Sequence, residues 1–272
     1  MKEDIKMASL MDKLWLLGET PGSHHKVKGY NMPGENKMTP MEGLEYFGIK
    51  NLCRMKMRSD MGMTYMDDPY IVDDKGVMEK LCLTLVGSAA WRPKEGCRDD
   101  MDELLEIAKR DKRFMAAIND DFFAGNRSEI YTPDILRQQR EELHTWFEKP
   151  IEFWSVIYER DHLKGTDVLP FTMEYDLTTF WVWYSENVAE LQNHLDWSKT
   201  LTKDGRVILG VYMYDYGNSC PISDDRMKRQ LDFTYEKLVK GEIEGAMLHS
   251  SCNMDLGLSA TEITKEWIEA LK

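Results

Sequence analysis

The sequence predicts an α/β fold, a single (β/α)8 barrel domain spanning residues 1–272, and two observations support this prediction. Eight short apolar runs recur along the chain, and segments with helical signals separate them. Most of these runs are near-continuous rather than strictly alternating, which is typical of strands buried on both faces of a parallel sheet. Strand–helix alternation around eight such strands indicates a barrel, whose functional residues collect at the carboxyl ends of the strands.

The eight runs are the predicted strands of this barrel. A doubly wound open sheet is the alternative, and it would need a glycine-rich phosphate turn after an early strand. The segment GETPGSHH follows the first run and does not match GxGxxG, which disfavours a dinucleotide-binding fold. The predicted strands are Leu14–Glu19, Asn51–Met57, Leu81–Ser88, Phe114–Asp121, Ile151–Glu159, Leu177–Trp183, Val207–Asp215 and Gly245–Ser250.

Helix start and stop signals lie between the predicted strands. The segment TPME places Thr39 as an N-cap, a proline at the first helical position and Glu42 as a capping-box partner. The segment SATE at 259–262 predicts a second capping box. Gly48 and Gly241 each follow a helical segment and are predicted C-caps.

Composition and charge limit the possible partners. The chain has 272 residues, of which 42% are hydrophobic, and a net charge of −13, so we expect no nucleic-acid or anionic-membrane partner. No apolar run approaches the roughly 18 residues of a membrane span. The first residues lack the apolar core of a secretion signal, so we expect a cytoplasmic protein unless such a signal precedes this sequence. The five cysteines form no CxxC pair and predict free thiols.

Carboxylates at the predicted strand ends are the candidate catalytic groups. Asp121, Glu159 and Asp215 each follow a strongly apolar strand, and carboxylates on different strands can flank a glycosidic bond. One would act as the acid and another as the nucleophile or base. Asp120 is adjacent to Asp121, and the strand pattern leaves open which of the two faces the cleft. The retaining and inverting mechanisms also remain open.

Other polar and aromatic residues at strand ends or in the loops after them are candidate binding residues. Flat aromatic rings offer a face to the C–H side of a sugar, and basic side chains can hold a substrate hydroxyl or carboxylate. We expect a carbohydrate as the partner, with no cofactor and no metal, and the oligomeric state stays open. The predicted binding residues are Glu19, His24, Lys56, Trp91, Asp120, Trp181, Trp183, Tyr214 and His249.

Several longer segments resemble a known family. The segments TPMEGLEYFGIKNLCRMKM, AAINDDFF, DLTTFWVWYSENVAEL, ILGVYMYDYG and GEIEGAMLHSSCNMDLGLSATEITKEWI are similar to bacterial glycoside-hydrolase-like (β/α)8 proteins, mostly of unassigned substrate. The resemblance covers about Leu14 to Ile268. It implies a barrel with its site at the strand ends and does not identify a catalytic pair.

Two other functions stay open at this point. A metal-dependent sugar isomerase or hydrolase would use Glu19, Asp121, Glu159, Asp215 and His249 as oxygen and imidazole ligands. A non-catalytic carbohydrate-binding barrel would keep the cleft without the chemistry. Metal content separates the first of these from a metal-free hydrolase, and ligand binding without turnover separates the second.

Overall fold

The computed structural model describes residues 10–27, 29–56, 63–85, 96–123, 131–145 and 149–272. Its eight strands are parallel and close in sequence order into a barrel, with the first strand paired to the last. The predicted (β/α)8 barrel is therefore confirmed. The strands are β1 Leu14–Gly18, β2 Asn51–Arg54, β3 Lys80–Thr84, β4 Phe114–Asn119, β5 Glu152–Tyr158, β6 Leu177–Trp181, β7 Val207–Tyr212 and β8 Gly245–His249.

Helices connect the strands around the outside of the barrel. The described part of the connection from β2 to β3 instead contains two 3-10 turns, Tyr65–Asp67 and Pro69–Ile71. Within the described ranges, no helix is long and apolar enough to cross a membrane. The α-helices are α1 Pro40–Phe47, α2 Gly96–Arg110, α3 Pro133–Thr145, α4 Glu159–Lys164, α5 Leu169–Thr172, α6 Leu191–Ser198, α7 Asp224–Lys240 and α8 Ser259–Ala270.

Most of the strands end earlier than the sequence predicted. β4 ends at Asn119 and β7 at Tyr212, whereas the predicted strands continued to Asp121 and Asp215. β4 stops where the sequence turns polar, whereas β7 stops before the apolar Met213 and Tyr214, because chain at the rim of a sheet can leave the pairing and form loops. The predicted carboxylates consequently lie on loops just beyond the strands. The predicted end of the third strand, Ser88, lies outside the described residues.

One of the two predicted capping boxes is confirmed. The Thr39 hydroxyl accepts a hydrogen bond from the Glu42 amide, and the Glu42 carboxylate accepts one from the Thr39 amide. The second prediction is wrong, because the N-cap of α8 is Leu258 and the Ser259 hydroxyl donates instead to Asp224. Competition from a carboxylate on α7 therefore overrides the local capping pattern.

The alternation of side chains divides the barrel into two apolar regions. Residues of one phase pack inside the barrel, and residues of the other phase pack against the surrounding helices. Both phases are apolar, as expected for a covered barrel. The inner cluster includes Trp15, Leu17, Cys53, Cys82, Ala116, Ile118, Trp154, Val156, Tyr158, Trp181, Ile208, Tyr212 and Met247.

A large ring in the inner cluster depends on a glycine beside it. Trp181 is 2% exposed, and its indole nitrogen donates to the Thr179 hydroxyl at 2.9 Å. A Cβ atom built on Gly210 of the neighbouring strand would lie 2.0 Å from Cε3 of the Trp181 ring. Such a contact is impossible without displacement of the indole, so Gly210 provides the space that Trp181 fills.

We expect Gly210→Ala to lower the free energy of unfolding by about 1–3 kcal/mol, because an extra methyl group overpacks a rigid core. Chemical denaturation monitored by tryptophan fluorescence measures this change. Gly29→Ala is the matched control, since a Cβ at that position meets nothing within 4 Å, and its effect should stay below about 0.5 kcal/mol. Equal midpoints for the two variants would contradict this packing of Trp181.

Candidate active site at the carboxyl ends of the strands

The closed barrel decides which strand-end residues face its mouth. Trp15 and Leu17 of β1 belong to the inner cluster, and Glu19 continues their alternation. His249 continues the same alternation from Met247 on β8. Because β1 and β8 are paired neighbours, the two side chains meet at the floor of the mouth.

The Glu19 carboxylate is the hub of this floor and is 3% exposed. Nε2 of His24 lies 2.8 Å from Oε1 and 2.7 Å from Oε2 of Glu19. The hydroxyl of Ser250 donates to Oε2 at 2.6 Å, and the amide of Glu19 donates to the Ser251 hydroxyl at 3.0 Å. The carboxylate thus joins the loop after β1 to the loop after β8.

A chain of hydrogen bonds continues from His24 to the far side of the floor. The Tyr216 hydroxyl lies 2.9 Å from Nδ1 of His24 and donates to Oδ1 of Asn253 at 2.9 Å. Having given its proton to Asn253, the hydroxyl can only accept from His24. Nδ1 of His24 therefore carries a proton while Nε2 donates to Glu19, which makes the pair an imidazolium–carboxylate ion pair.

The two charges of this pair account for the electrostatics of the floor. Burial by itself would raise the pKa of Glu19, but the charge and hydrogen bond of His24, helped by His249 and Ser250, lower it to about 2. Burial lowers the pKa of His249 to about 3, against the opposing charge of Glu19. Glu19 is therefore ionised and His249 neutral at pH 7.

His249 is the imidazole of the floor whose hydrogen bonds are incomplete. Its ring stacks on His24 with centroids 5.5 Å apart and contacts the Tyr212 ring at 4.7 Å. Nδ1 of His249 is buried and has no hydrogen-bond partner among the described residues. An unpartnered buried nitrogen is costly to maintain, so it marks a position where a ligand atom would be stabilised.

Aromatic rings form a collar above the floor, which we define as Tyr30, Tyr158, Trp183, Tyr212 and Tyr216. Trp183 is the centre of the collar, because its ring lies 5.6–6.4 Å from the rings of the other four. Tyr216 contacts both Tyr30 and Tyr212 at 5.0–5.1 Å. Trp183 and Tyr30 are partly exposed, so this collar presents ring faces and hydroxyl groups to the mouth.

The rim above the collar carries charges from β4 and β5. Asp121 lies in the left-handed region with φ 50°, and its carboxylate, 38% exposed, accepts a hydrogen bond from Tyr158 at 2.7 Å. The Arg160 guanidinium lies 3.9 Å from the same carboxylate. Asp120 is partly exposed, and its charge acts on Tyr30, Tyr158 and Tyr212 together with that of Asp121. Both aspartates therefore border the same opening.

Asp215 is placed behind this opening. Its phase on β7 is that of Val211 and Met213, which pack in the outer apolar region. The carboxylate is 2% exposed and accepts hydrogen bonds from the Ser185 hydroxyl at 2.5 Å and from the amide and side chain of Asn218 at 3.0 and 2.9 Å. These contacts favour a role in holding the loops after β6 and β7 together.

Glu159 occupies a similar position after β5 and is fully buried. Its two carboxylate oxygens accept the backbone amides of Trp183 and Tyr184 at 2.7 and 2.9 Å, and Asn187 adds a contact at 3.2 Å. The carboxylate consequently fixes the chain that carries the central ring of the collar.

Three further predicted binding residues lie outside the opening. Lys56 continues the outward phase of β2, and its ammonium group contacts the Tyr65 ring at 3.5 Å and donates to the Met63 carbonyl at 2.7 Å. Trp181 lies below the collar, and the Tyr214 hydroxyl donates to the carbonyls of Tyr30 and Asn31. Trp91 lies outside the described residues.

The sequence did not select Tyr30, Arg160 and Tyr212 as site residues. Tyr212 could have been found from the alternation along β7, because it shares the inner phase of Ile208 at the carboxyl end of the strand. Tyr30 sits in the long loop after β1, where neither periodicity nor spacing carries a signal. Arg160 follows Glu159 and looked like its surface ion-pair partner, whereas the structure places it beside Asp121.

Glu19, His24 and His249 also form a possible metal site. One ligand atom from each lies within 4.8 Å of the others. A bound zinc ion would need its ligand atoms about 2.0–2.2 Å from the metal. The side chains would have to close around the ion, and the ion would replace the proton between His24 and Glu19. The free Nδ1 of His249 fits a ligand, while the hydrogen-bonded Glu19 and His24 fit it less well.

Comparison with known proteins shows a similarity to solved structures. No family model and no curated protein matches the chain. A solved structure of a GH128 (subgroup III) curdlan-specific exo-β-1,3-glucanase from Blastomyces gilchristii, in complex with glucose, is similar with a TM-score of 0.49 and 13% sequence identity. The similarity covers 90% of this chain and 99% of the glucanase chain.

We expect Asp215→Ala to lower the free energy of unfolding by about 1–3 kcal/mol, because the buried hydroxyl of Ser185 loses its acceptor. Urea denaturation monitored by circular dichroism measures the loss. Asp232→Ala, on the exposed face of α7, is the control and should change stability by less than about 0.5 kcal/mol. A stable Asp215→Ala protein would argue against the loop-holding role and return Asp215 to the candidate catalytic residues.

Proposed function

We propose that this protein is a carbohydrate-directed hydrolase whose active site is the mouth of the barrel. The observation that carries the proposal is an ionised, buried carboxylate, Glu19, lying beneath a collar of aromatic rings and hydroxyl groups. The positions of the carboxylates, not the similarity to another barrel, support this function. A second carboxylate, Asp121, stands at the rim of the same opening.

Glu19 is suited to stabilise positive charge on a substrate. Glycosidic bond cleavage passes through an oxocarbenium-like transition state, and the charge of a carboxylate held in its ionised form can stabilise it. His24 and Ser250 occupy the carboxylate with hydrogen bonds that fix its orientation. Such preorganisation keeps the reorganisation cost at the moment of reaction low.

Asp121 is suited to exchange a proton with the leaving oxygen. The carboxylate is accessible, and among the described residues only Tyr158 donates to it, which leaves its second oxygen open for a substrate oxygen. Of the three predicted catalytic residues, this assignment retains Asp121. It gives Asp215 and Glu159 supporting roles, because their oxygens are taken by neighbouring loops.

The collar is suited to bind the sugar itself. Trp183 offers a flat, partly exposed ring, and Glu159 fixes its backbone by accepting the Trp183 amide. Burial and the charge of Asp121 are the two largest effects that raise the pKa of Tyr212, so its hydroxyl stays protonated and can donate to a substrate hydroxyl. His24 and His249 would contact the sugar only from the floor.

We expect Asp121→Asn and Glu19→Gln each to lower turnover at least about 100-fold, the low end for losing acid–base or charge stabilisation by a carboxylate. Turnover is measured on a panel of nitrophenyl glycosides and oligosaccharides that covers gluco-, xylo-, galacto- and manno-configured sugars. Glu266→Gln, on the exposed face of α8, is the control and should keep full activity. Asp121 is accessible, so Asp121→Asn should fold like the unmodified protein.

The outcomes of this experiment separate the candidate functions. Full activity of Asp121→Asn on a substrate that the protein turns over would contradict the assignment of Asp121. Binding of a sugar that weakens in Trp183→Ala, with no turnover of any panel member, would favour a non-catalytic carbohydrate-binding barrel. If the protein neither binds nor turns over any member of the panel, the proposed function is rejected.

A metal-dependent hydrolase or isomerase is the second candidate, because Glu19, His24 and His249 lie close enough to converge on an ion. The first candidate needs no metal, since paired carboxylates carry the proton chemistry themselves. We therefore expect chelator-treated protein to keep its turnover and to contain no stoichiometric transition metal by elemental analysis. A requirement for one equivalent of zinc or manganese, lost together with metal binding in His249→Ala, would favour the second candidate.

A further inference from the structure

Arg160 holds an unusual position at the rim of the mouth. It lies in the first turn of α4, and its guanidinium carbon is 4.3 Å from the centroid of the Tyr158 ring and 4.8 Å from that of Trp183. Its side chain remains 27% exposed. Two rings of the collar therefore hold a cation against the opening, where a substrate bound on Trp183 would meet it.

The hydrogen-bonding capacity of this guanidinium is largely unused. An arginine presents five N–H donors in a planar fork. The nearest carboxylate oxygen recorded is Oδ1 of Asp121 at 3.9 Å, beyond hydrogen-bond distance, and that oxygen already accepts the Tyr158 hydroxyl at 2.7 Å. Within the described residues, the structure records no hydrogen bond from Arg160. Its donors are available to a ligand.

Other donors face the same space. The Trp183 ring that Arg160 contacts at 4.8 Å lies 6.4 Å from the Tyr30 ring and 6.0 Å from the Tyr212 ring, so all three groups surround Trp183. Burial raises the pKa of both tyrosines, so the two hydroxyls stay protonated. No hydrogen bond from either hydroxyl is recorded within the described ranges. A guanidinium and two hydroxyl donors thus lie around the partly exposed Trp183 ring.

We propose that Arg160 binds an anionic substituent of the substrate, the carboxylate of a uronic acid residue placed next to the Trp183 ring. This inference rests on the proposed carbohydrate-directed function and specifies its substrate class. A carboxylate is planar and accepts two parallel N–H bonds from a guanidinium, which a neutral hydroxymethyl group cannot do. Stacking on Tyr158 and Trp183 holds the guanidinium in place before the ligand arrives, which reduces the ordering cost of binding.

The negative charges nearby make this arginine necessary for such a ligand. The carboxylates of Asp120, Asp121 and Glu19 would repel an anionic sugar, and His24 is already paired with Glu19. Arg160 is the cation on this rim that touches two collar rings and lacks a carboxylate within hydrogen-bond distance in the described structure. Removing its charge should therefore affect acidic sugars far more than neutral ones.

The test compares acidic sugars with their neutral counterparts by isothermal titration calorimetry. The probes are glucuronic acid and glucose, galacturonic acid and galactose, the matching di- and trisaccharides, and glucose 6-sulfate as a non-planar anion. The variants are Arg160→Gln and Arg160→Lys, which keeps the charge and loses the fork. Arg110→Gln, at the exposed carboxyl end of α2, is the matched control.

The unmodified protein should bind the uronic acid member of one pair at least about tenfold more tightly, as one bidentate charge-assisted contact allows. Arg160→Gln should remove this preference while neutral binding changes less than about threefold, and Arg160→Lys should keep only part of it. Equal or tighter binding of the sulfate would replace the carboxylate assignment with a sulfated sugar.

Two results would overturn the inference. One is neutral and acidic sugars binding equally to the unmodified protein, and the other is a preference that survives in Arg160→Gln. A uniform loss of binding to all sugars in Arg160→Gln, with a lowered melting temperature, would show that the guanidinium only supports the collar. If no sugar of either class binds, the proposed function itself fails, which is a different result from neutral binding without acid preference.

Discussion

The ion pair between Glu19 and His24 is the interaction on which the mouth of the barrel depends. Removing a carboxylate and an imidazolium from water is costly, and their mutual attraction offsets that cost only when further hydrogen bonds satisfy the remaining polar atoms. Ser250 supplies one such bond to Glu19, and Tyr216 supplies another to His24. The pair therefore orders the loops after β1, β7 and β8 together, because each loop provides one of the partners.

The aromatic collar depends on the same floor. Tyr216 belongs to both, since its hydroxyl bonds to His24 while its ring contacts Tyr30, Tyr212 and Trp183. Below the collar, the glycine at 210 makes room for the Trp181 indole, which contacts Tyr212 at 5.0 Å and His249 at 5.6 Å. Side chains are thus in continuous contact from the barrel interior to the polar site, and few of them can shift independently.

The carboxylates at the strand ends divide by the direction they face. Glu19 continues the inner phase of its strand, and Asp120 and Asp121 turn toward the mouth where the chain leaves β4. Glu159 and Asp215 continue the outer phase, and their carboxylate oxygens accept hydrogen bonds from backbone amides and loop side chains. Glu159 and Asp215 thereby stabilise the loops, whereas Asp121 keeps an oxygen open for a ligand, and Glu19, whose oxygens are also hydrogen-bonded, acts on a ligand only through its charge.

The sequence by itself determined where the strands lie, how α1 begins and which polar residues follow the strands. These features depend on residues only a few positions apart, so a local pattern such as the 39–42 capping box predicts them. The sequence could not determine whether a strand residue faces the barrel interior or the surrounding helices, because a covered barrel is apolar on both sides of every strand. The sequence also could not determine the hydrogen-bond partners of the site residues. The bond from Ser250 to Glu19 and the bond between His24 and Tyr216 join residues 231 and 192 positions apart. Only closure of the barrel brings such distant residues within reach, and the tertiary structure therefore decided which strand-end residues form the site.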